Sequence, residues 1–194
     1  MVFGLLIFTA CSKYPPASDR LTEDLVVMTQ YDTKVDFNNY HTFSMPDSII
    51  KITERDTTYL FDATAQSILN QIAINMKNRG FLQTTAKEKA DFGVEVFYFQ
   101  NTHIYTYYYD WWGYYPYWYY YYPYYPVYYS SYTSGALNME LVDMKYPTNG
   151  KQTLSVRWNA YIRGLLTGTH TLNEINGRVN QAFIQTPQLK TNAN

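Results

Sequence analysis

The sequence predicts an α+β domain: a two-layer sandwich in which a mostly antiparallel sheet of about five strands carries two helices on one face. Two segments place apolar residues at helical spacing, and five shorter segments are rich in strand-forming residues, three of them with alternating polarity. Because these patterns create apolar faces, helices and sheet should bury those faces against each other. The predicted order is β-β-α-β, a long aromatic insertion, then β-β-α.

The N-terminal part of the chain predicts a membrane anchor followed by a tether. Residues 1–10 are mostly apolar and end in small residues directly before Cys11, the single cysteine, as in a secretory signal and its cleavage site. A buried N-terminal strand is the alternative. Ten residues are too few to span a bilayer, which takes about 20. Residues 12–24 are polar and contain Pro15-Pro16, so we expect residues 11–24 to form the anchor and its tether.

The four residues Phe8-Thr9-Ala10-Cys11 resemble a bacterial lipobox. The resemblance implies that cleavage makes Cys11 the first residue of the mature protein and that Cys11 carries a diacylglycerol and an N-acyl chain. No other cofactor is expected. Ser12 follows the cysteine, at the position where aspartate resembles an inner-membrane retention signal. We therefore expect a lipid anchor in the bacterial outer membrane, on its periplasmic or its surface face.

Two short strands open the predicted domain, which covers residues 25–190. Residues 25–31 and 40–44 are rich in β-branched and aromatic residues, as strands are. Turn-forming residues occupy the interval 32–39. Residues 46–59 are polar with mixed signals, so a loop is predicted there.

Residues 62–79 predict the first helix. Asp62 can accept a free backbone N–H at the helix start, and Lys77 and Arg79 suit the negative end of the helix dipole. Gly80 suits the left-handed residue that often follows a helix. The apolar stripe at helical spacing consists of Ala65, Ile68, Leu69, Ile72 and Met76. Such a stripe predicts core packing rather than a cofactor site.

Three alternating segments predict the remaining strands, at residues 91–100, 136–143 and 153–162. Asn149-Gly150 lies between the last two and predicts a turn, so these strands should form a hairpin. The residues predicted to point inward are Phe92, Val94, Val96, Tyr98, Leu137, Met139, Leu141, Leu154, Val156, Trp158 and Ala160. Phe97 and Phe99 break the alternation, which indicates either cover on both faces or a lead into the aromatic insertion.

Residues 171–183 predict the second helix. Thr171 and Glu174 have the spacing of a capping box, in which each side chain bonds the other's backbone N–H. Gly177 opposes the helix, because glycine costs about 1 kcal/mol relative to alanine there. The apolar stripe is Ile175, Val179, Ala182 and Phe183, and Pro187 ends the segment. Residues 191–194 are expected to form a disordered tail.

Several of these segments together resemble a family of small bacterial lipoproteins known as domain of unknown function 4136. The opening motif is "YDTKVDFNNYHTF" at residues 31–43: a strand, then Asp, then Asp-Phe, then Tyr-x-Thr-aromatic. Later landmarks are "NRGF" at 78–81, "ADFGVEV" at 90–96 and "INGRVNQAF" at 175–183, and the similarity covers roughly residues 25–190. The resemblance implies an envelope lipoprotein with an α+β domain, and it implies no known activity.

Composition and spacing reveal no catalytic or metal site. The formal net charge is −1, whereas a nucleic-acid binder shows a clustered basic face, so no nucleic-acid partner is expected. His41, His103 and His170 have no second ligand at metal-binding spacing. The candidate carboxylate pairs are Asp32 with Asp36 and Glu54 with Asp56. Both pairs lie in predicted loops, which favours turn and solvation roles over acid–base catalysis.

Residues 101–134 form an insertion of unusual composition. Within it, residues 105–132 hold 16 of the 23 tyrosines and three of the four tryptophans, with Asp110 as the single charge. Three prolines remove the backbone donors that continuous strand pairing needs, which makes this segment a poor template for β-aggregation.

Three uses of the insertion remain open: covering the domain's own apolar surface, docking a protein, a second copy or an envelope glycan, and lying at a membrane interface. The candidate contact residues are Tyr109, Trp111, Trp112, Tyr114, Tyr117, Trp118, Tyr121 and Tyr124. We expect a non-catalytic envelope lipoprotein that presents them to a protein or envelope polymer. The alternative is an envelope hydrolase, or a ligand- or glycan-binding protein whose pocket is walled by the insertion.

Overall fold

A computed structural model describes residues 25–53, 55–100, 135–148, 153–165 and 170–192 of the chain. Within these ranges eight strands form one sheet and two helices pack on one of its faces. The α+β prediction is confirmed, and the sheet is larger than the five strands expected. The predicted turn at Asn149-Gly150 lies outside the described residues.

The sheet consists of three long strands and five shorter ones. The strands are β1 (Val27–Tyr31), β2 (Thr42–Ser44), β3 (Ile49–Ile52), β4 (Thr57–Leu60), β5 (Leu82–Gln83), β6 (Phe92–Phe99), β7 (Ala136–Thr148) and β8 (Thr153–Ile162). The helices are α1 (Ala63–Asn78) and α2 (Leu172–Ile184). The main strand order is β1-β8-β7-β6-β2-β5, and β3 lies beside the second half of β6 and pairs with β4. The long ladders are antiparallel, and each parallel pair includes at least one of the short strands β2, β3 and β5.

The loop predicted for residues 46–59 is wrong, because this interval forms the β3–β4 hairpin. Ile49, Ile50 and Ile52 are buried, and β3 pairs with β6 through residues almost 50 positions further along the chain. The turn is closed locally, where the Thr53 N–H donates to the Asp56 carbonyl at 3.0 Å and the Thr53 hydroxyl donates to the Asp56 carboxylate at 2.6 Å. A short strand whose partner is distant leaves little periodic signal in its own sequence.

Both helices begin as predicted. The Asp62 carboxylate accepts the Ala65 N–H at 2.8 Å, and the Thr171–Glu174 capping box is formed in both directions. The predicted stripes of both helices are buried in the core that also contains Trp158 of the sheet. The prediction of two helices on one face is therefore confirmed at the level of individual side chains.

The two helices run parallel and are joined by polar side chains. The Asn180 amide oxygen accepts from Gln71 at 2.8 Å and from Asn75 at 2.7 Å. At the end of this contact the Arg79 guanidinium donates to the carbonyls of Phe183, of Thr186 at 3.1 Å and of Leu189 at 2.9 Å. A cation at these carbonyls satisfies the free acceptors at the α2 C-terminus and complements the helix dipole.

In β8 the alternation of side chains changes at Arg157. Leu141 faces Trp158, but the next residue of β7, Val142, faces Val156, so Arg157 is an extra residue in a β-bulge. Residues before the bulge therefore point to the opposite face from the one their spacing indicates. The prediction that Trp158 and Ala160 point inward is confirmed, because both are buried in the core. The same prediction is wrong for Val156 and for Leu154, which lies on the same face as Val156.

The C-terminal segment is held by the end of α1. The Thr191 N–H donates to the Arg79 carbonyl at 2.9 Å, and the Thr191 side chain lies 3.3 Å from the His41 ring nitrogen. Thr191 is buried although it is the first residue of the predicted tail. The segment lies so close to Gly80 that a Cβ atom there would meet the Thr191 carbonyl oxygen at 2.4 Å.

Replacing two glycines with alanine should change stability in opposite directions. Gly177 lies in α2 with open space where a Cβ would be, so Gly177→Ala should raise the free energy of unfolding by about 0.5–1 kcal/mol. Gly80 has a φ of +91° and meets Thr191, so Gly80→Ala should lower it by about 2 kcal/mol or more. Urea denaturation of the two variants measures both changes, and equal effects would contradict the backbone assignment.

Candidate functional site

The structure does not place the residues that the sequence singles out for contact and lipidation. Cys11 and the eight aromatic contact residues between positions 109 and 124 lie outside the described residues. What the structure defines is the framework to which the insertion is attached. Two features of that framework bear on function: the edge of the sheet where the insertion begins and ends, and the sheet face that carries no helix.

Both ends of the insertion are attached to neighbouring strands at one edge of the sheet. Phe99, the last residue of β6, faces Ala136, the first residue of β7. The Gly135 N–H donates to the Phe99 carbonyl at 2.8 Å, and the Gln100 N–H donates to the Ile52 carbonyl at 3.0 Å. The strand spacing of about 4.8 Å therefore separates the two ends. We use the term upper edge for this end of the strands, where β6 ends and β7 begins.

The chain also enters the domain at the upper edge. Val27, where β1 begins, faces Ile162 of β8, and Ile162 faces Leu137 of β7. Leu137 in turn faces Tyr98 near the end of β6. The start of β1 and the two ends of the insertion are consequently at the same level along the strands.

The sheet face away from the helices, which we call the helix-free face, carries a row of polar side chains. In register across β6, β7, β8 and β1, the row is formed by Glu95, Glu140, Asn159 and Gln30. Asn138 adjoins it on β7. The Asn138 amide donates to the Glu140 carboxylate at 2.8 Å, and the Asn159 amide donates to Asn138 at 2.6 Å and to Glu140 at 3.3 Å.

The two glutamates of this row are direct cross-strand neighbours, a destabilising arrangement when both are ionised. Glu95 is only 2% exposed. Burial raises the pKa of the Glu140 carboxyl, and the two amide donors oppose that rise only in part. The row thus holds acidic groups in an environment that disfavours their charge. Sequence reasoning missed it, because alternating polar residues on a strand are usually read as solvent-facing.

Apolar clusters lie above and beside the polar row on the same face. One consists of Ile50, Ile52 and Phe97 with Phe99 against it. The other consists of Ala136 and Tyr161, with Met28 and again Phe99 packed on them. Phe99 joins the two clusters at the root of the insertion. The sequence left two explanations for Phe97 and Phe99 of β6, cover on both faces or a lead into the insertion. In the structure the face that carries them is apolar near the upper edge.

A second polar cluster, at the opposite end of the sheet, has a structural role. The Asp143 carboxylate is fully buried and accepts from the Tyr40 hydroxyl at 2.8 Å and the Arg157 Nε at 2.9 Å. Arg157 also donates to Asp32 at 2.8 Å. Burial raises the pKa of Tyr40, and its bond to Asp143 raises it further. Every charged oxygen and nitrogen here has a partner within the domain, which leaves little to bind a substrate.

Two further acidic side chains, Asp91 and Asp36, also accept hydrogen bonds from backbone N–H groups. The Asp91 carboxylate accepts the N–H groups of His41 at 2.6 Å and Thr42 at 3.1 Å and pairs with Lys145 at 3.3 Å. Burial raises the pKa of Asp91, but these three donors outweigh it and leave the pKa below its usual value. Asp36 caps a short 3-10 turn, Phe37–Asn39, by accepting the Asn38 N–H. Such contacts fix the turns between strands.

No metal-binding group stands out among the residues that the structure describes, where no three His, Cys, Asp or Glu side chains come together. In the same residues no helix is long and apolar enough to cross a membrane. His103 and Glu54 lie outside the described residues.

Comparison with known proteins gives a family and a fold. Residues 27–188 match the family model described as "Domain of unknown function (DUF4136)". The chain is 31% identical to a DUF4136 family protein of known crystal structure from Bacteroides thetaiotaomicron, with a TM-score of 0.67, covering 87% of this chain and 98% of that one. It also aligns with a PDZ domain protein from Parabacteroides distasonis at 17% identity and a TM-score of 0.44, covering 83% and 35% of the two chains. No curated protein matches it.

Breaking the Asp143 cluster should destabilise the fold. Arg157→Met removes the charged partner of a fully buried carboxylate, so the free energy of unfolding should fall by about 3–5 kcal/mol. The double variant Arg157→Met, Asp143→Leu removes both charges and should be less destabilised than the sum of the two single variants. Arg55→Met, at an exposed turn, is the control and should change little. Strict additivity in urea denaturation would contradict a coupled cluster.

Proposed function

This chain belongs to the family described as domain of unknown function DUF4136, and we propose that it is a non-catalytic lipoprotein of the bacterial outer membrane. In this proposal Cys11 carries the lipid, and the folded domain presents residues 105–132 as an aromatic contact surface to a protein or polymer of the cell envelope. The observation that carries the proposal is the attachment of both ends of the insertion to adjacent hydrogen-bonded strands.

Attachment at two neighbouring points turns a low-complexity segment into a closed loop on a rigid base. The 34 residues of 101–134 begin and end within one strand spacing at the upper edge. The ladder between β6 and β7 supplies the free energy that closes this loop, and closure entropy grows only slowly with loop length. A folded domain can therefore carry a long insertion at small cost to its stability.

The composition of the insertion suits contact with another macromolecule. Tyrosine and tryptophan bury a large area while losing few rotamers, and they are enriched at binding surfaces. With Asp110 as the one charge of residues 105–132, attraction by opposite charges has little part in it. The candidate contact residues named from the sequence therefore remain our proposed contact set.

The position of the insertion supports a role close to the membrane. A lipid on Cys11 would hold the domain by residues 11–24, which span about 50 Å at most when fully extended. The chain enters the sheet at the upper edge, where the insertion also begins and ends. Tethering raises the effective concentration of the insertion toward envelope partners, so that even weak contacts become significant.

A ligand- or glycan-binding protein is the second candidate, and one observation favours it. The polar row on the helix-free face combines two carboxylates and two side-chain amides next to aromatic side chains near the root of the insertion. Amides and carboxylates beside aromatic rings are the groups that orient ligands in pockets. This alternative includes the hydrolase considered from the sequence, with the insertion as the wall of the pocket.

Lipidation of Cys11 is testable by mass and by partitioning. The N-terminal peptide of the protein from the native membrane should begin at Cys11 and carry the mass of a diacylglycerol and an N-acyl chain. Cys11→Ser should move the protein from the detergent phase to the aqueous phase, because one such anchor buries many methylene groups at about 0.8 kcal/mol each. An unacylated N-terminus on a protein that does not sediment with membranes would refute the anchor.

Contact by the insertion is testable by crosslinking in whole cells. Replacing Trp111, Trp112 and Trp118 with alanine should reduce the crosslinked adducts of the parent by at least about tenfold, because aromatic anchors carry most of the energy of many interfaces. Phe61→Ala, at an exposed ring of the domain itself, is the matched control and should leave the adducts unchanged. Circular dichroism checks that each variant is folded.

The identity of the adduct separates the two candidates. Adducts that are proteins or cross-linked envelope polymer support the contact role. Saturable binding of a soluble oligosaccharide that is lost on Glu140→Gln would favour the ligand-binding alternative. Unchanged adducts in the tryptophan variant would contradict the contact role.

A further inference from the structure

The central part of the helix-free face, on β6 and β7, is buried although both helices pack on the opposite face, whereas Gln30 on β1 is exposed and Glu140 and Asn159 are half-buried. Glu95, Asn138 and Tyr161 of this face are each 3% exposed or less, and Ile50 is 1% exposed. The helices bury the other side of the same strands, where Val94, Val96 and Met139 join the main core. An antiparallel sheet with a helix layer on one face usually leaves its other face to water. Here something other than the two helices must cover it.

We infer that the helix-free face is a docking surface for residues 101–134 of the same chain, which pack on it as a third layer. The first argument is position. The insertion leaves β6 at Gln100 and returns to β7 at Gly135, and these central strands carry the most buried part of the face. Phe99, at the root, is already packed on both apolar clusters.

The second argument is length. The insertion has 34 residues, which extend to about 110 Å, while the eight residues of β6 span about 26 Å at the strand rise of about 3.3 Å per residue. The segment can thus run down the face and back with residues to spare. The undescribed segments 149–152 and 166–169 have four residues each and are too short to do so. Residues 1–24 join at β1, three strands or about 14 Å from Glu95.

The third argument is chemical fit. The face presents two neighbouring carboxylates and three side-chain amides between apolar clusters. A segment that covers it must supply hydrogen-bond donors to acidic groups, apolar area to the clusters and little negative charge of its own. Tyrosine combines a ring with a hydroxyl donor, and residues 105–132 hold 16 of them with one charge. The N-terminal 24 residues hold one tyrosine and three acidic residues, a poorer match.

Packing of this kind would be a property of the domain itself, and it holds whether or not Cys11 is lipidated and whether or not a partner binds. It goes beyond the proposed contact role by assigning some of the rings to the sheet. It also gives a reason for the burial of Glu95 in the acidic row, which neither the family nor the helices explain.

Thiol labelling tests the inference, because Cys11 is the single cysteine of the chain. In a Cys11→Ser background, Asn138→Cys places a thiol on the helix-free face, and Ile74→Cys places one at a half-exposed position of α1. We expect a maleimide reagent to modify position 138 at least about 100-fold more slowly than position 74 in the full-length protein. Comparable rates would overturn the inference at once.

Two further variants identify what covers the face. In the first, every tyrosine and tryptophan of residues 105–132 becomes serine, which preserves the length of the insertion; position 138 should then react nearly as fast as position 74. In the second, residues 1–24 are removed, and position 138 should stay protected. Three results would overturn the inference. They are protection that persists without the rings, protection that is lost when residues 1–24 are removed, and protection that falls on dilution, as it would if a second copy of the chain covered the face.

Folding of the ring-free variant is checked by circular dichroism and by an unchanged labelling rate at position 74. If that variant does not fold, a second variant replaces residues 101–134 with a two-residue Asn-Gly turn between β6 and β7. Loop entropy alone predicts that this shortened chain is more stable than the parent, whereas loss of a packed layer predicts that it is less stable. A higher urea midpoint for the shortened chain would overturn the inference, and a lower one with fast labelling at position 138 would support it.

Discussion

The buried carboxylate of Asp143 is the constraint on which the arrangement of the sheet depends. A charge without access to water is tolerated only when all of its hydrogen bonds are made. Its donors come from three places in the chain: Tyr40 before β2, Arg157 in β8, and the N–H groups of Lys145 and Tyr146 in β7 itself. To bring the Arg157 side chain there, β8 takes up a bulge. That bulge sets the register of β8 on β7 and hence which side chains face the helices.

The same register determines what lies at the upper edge and on the helix-free face. With β7 fixed against β8 and β6, Glu140 is opposite both Glu95 and Asn159, and Phe99 is opposite Ala136. A shift by one residue would exchange the two faces of the strand and place Met139 and Leu141 away from the helices. The acidic row, in which Glu95 is buried, is therefore a consequence of the pairing that builds the core.

The sequence was a good guide wherever structure is local. The ends of α1 and α2 follow from Asp62, Gly80 and the Thr171–Glu174 box, because caps act within one turn of the chain. It was a poor guide where structure depends on distant residues. The β3–β4 hairpin is stabilised by pairing with β6, and the bulge at Arg157 answers a charge on another strand. The alternation of Asn138 and Glu140 was visible, but periodicity cannot distinguish a face open to water from a face covered by a third layer.

The two roles assigned to the aromatic rings are compatible, because the face is smaller than the set of rings. Four strands at about 4.8 Å and a height of about 26 Å make a face of roughly 500 Å². An aromatic side chain buries about 150–250 Å² when it is fully enclosed, and about half of that when only one side is covered. On the order of five rings would then fill the face, out of the 19 tyrosines and tryptophans of residues 105–132. The remaining rings would stand on a packed layer instead of a free loop, and pre-ordering of this kind lowers the entropy that a partner must overcome on binding.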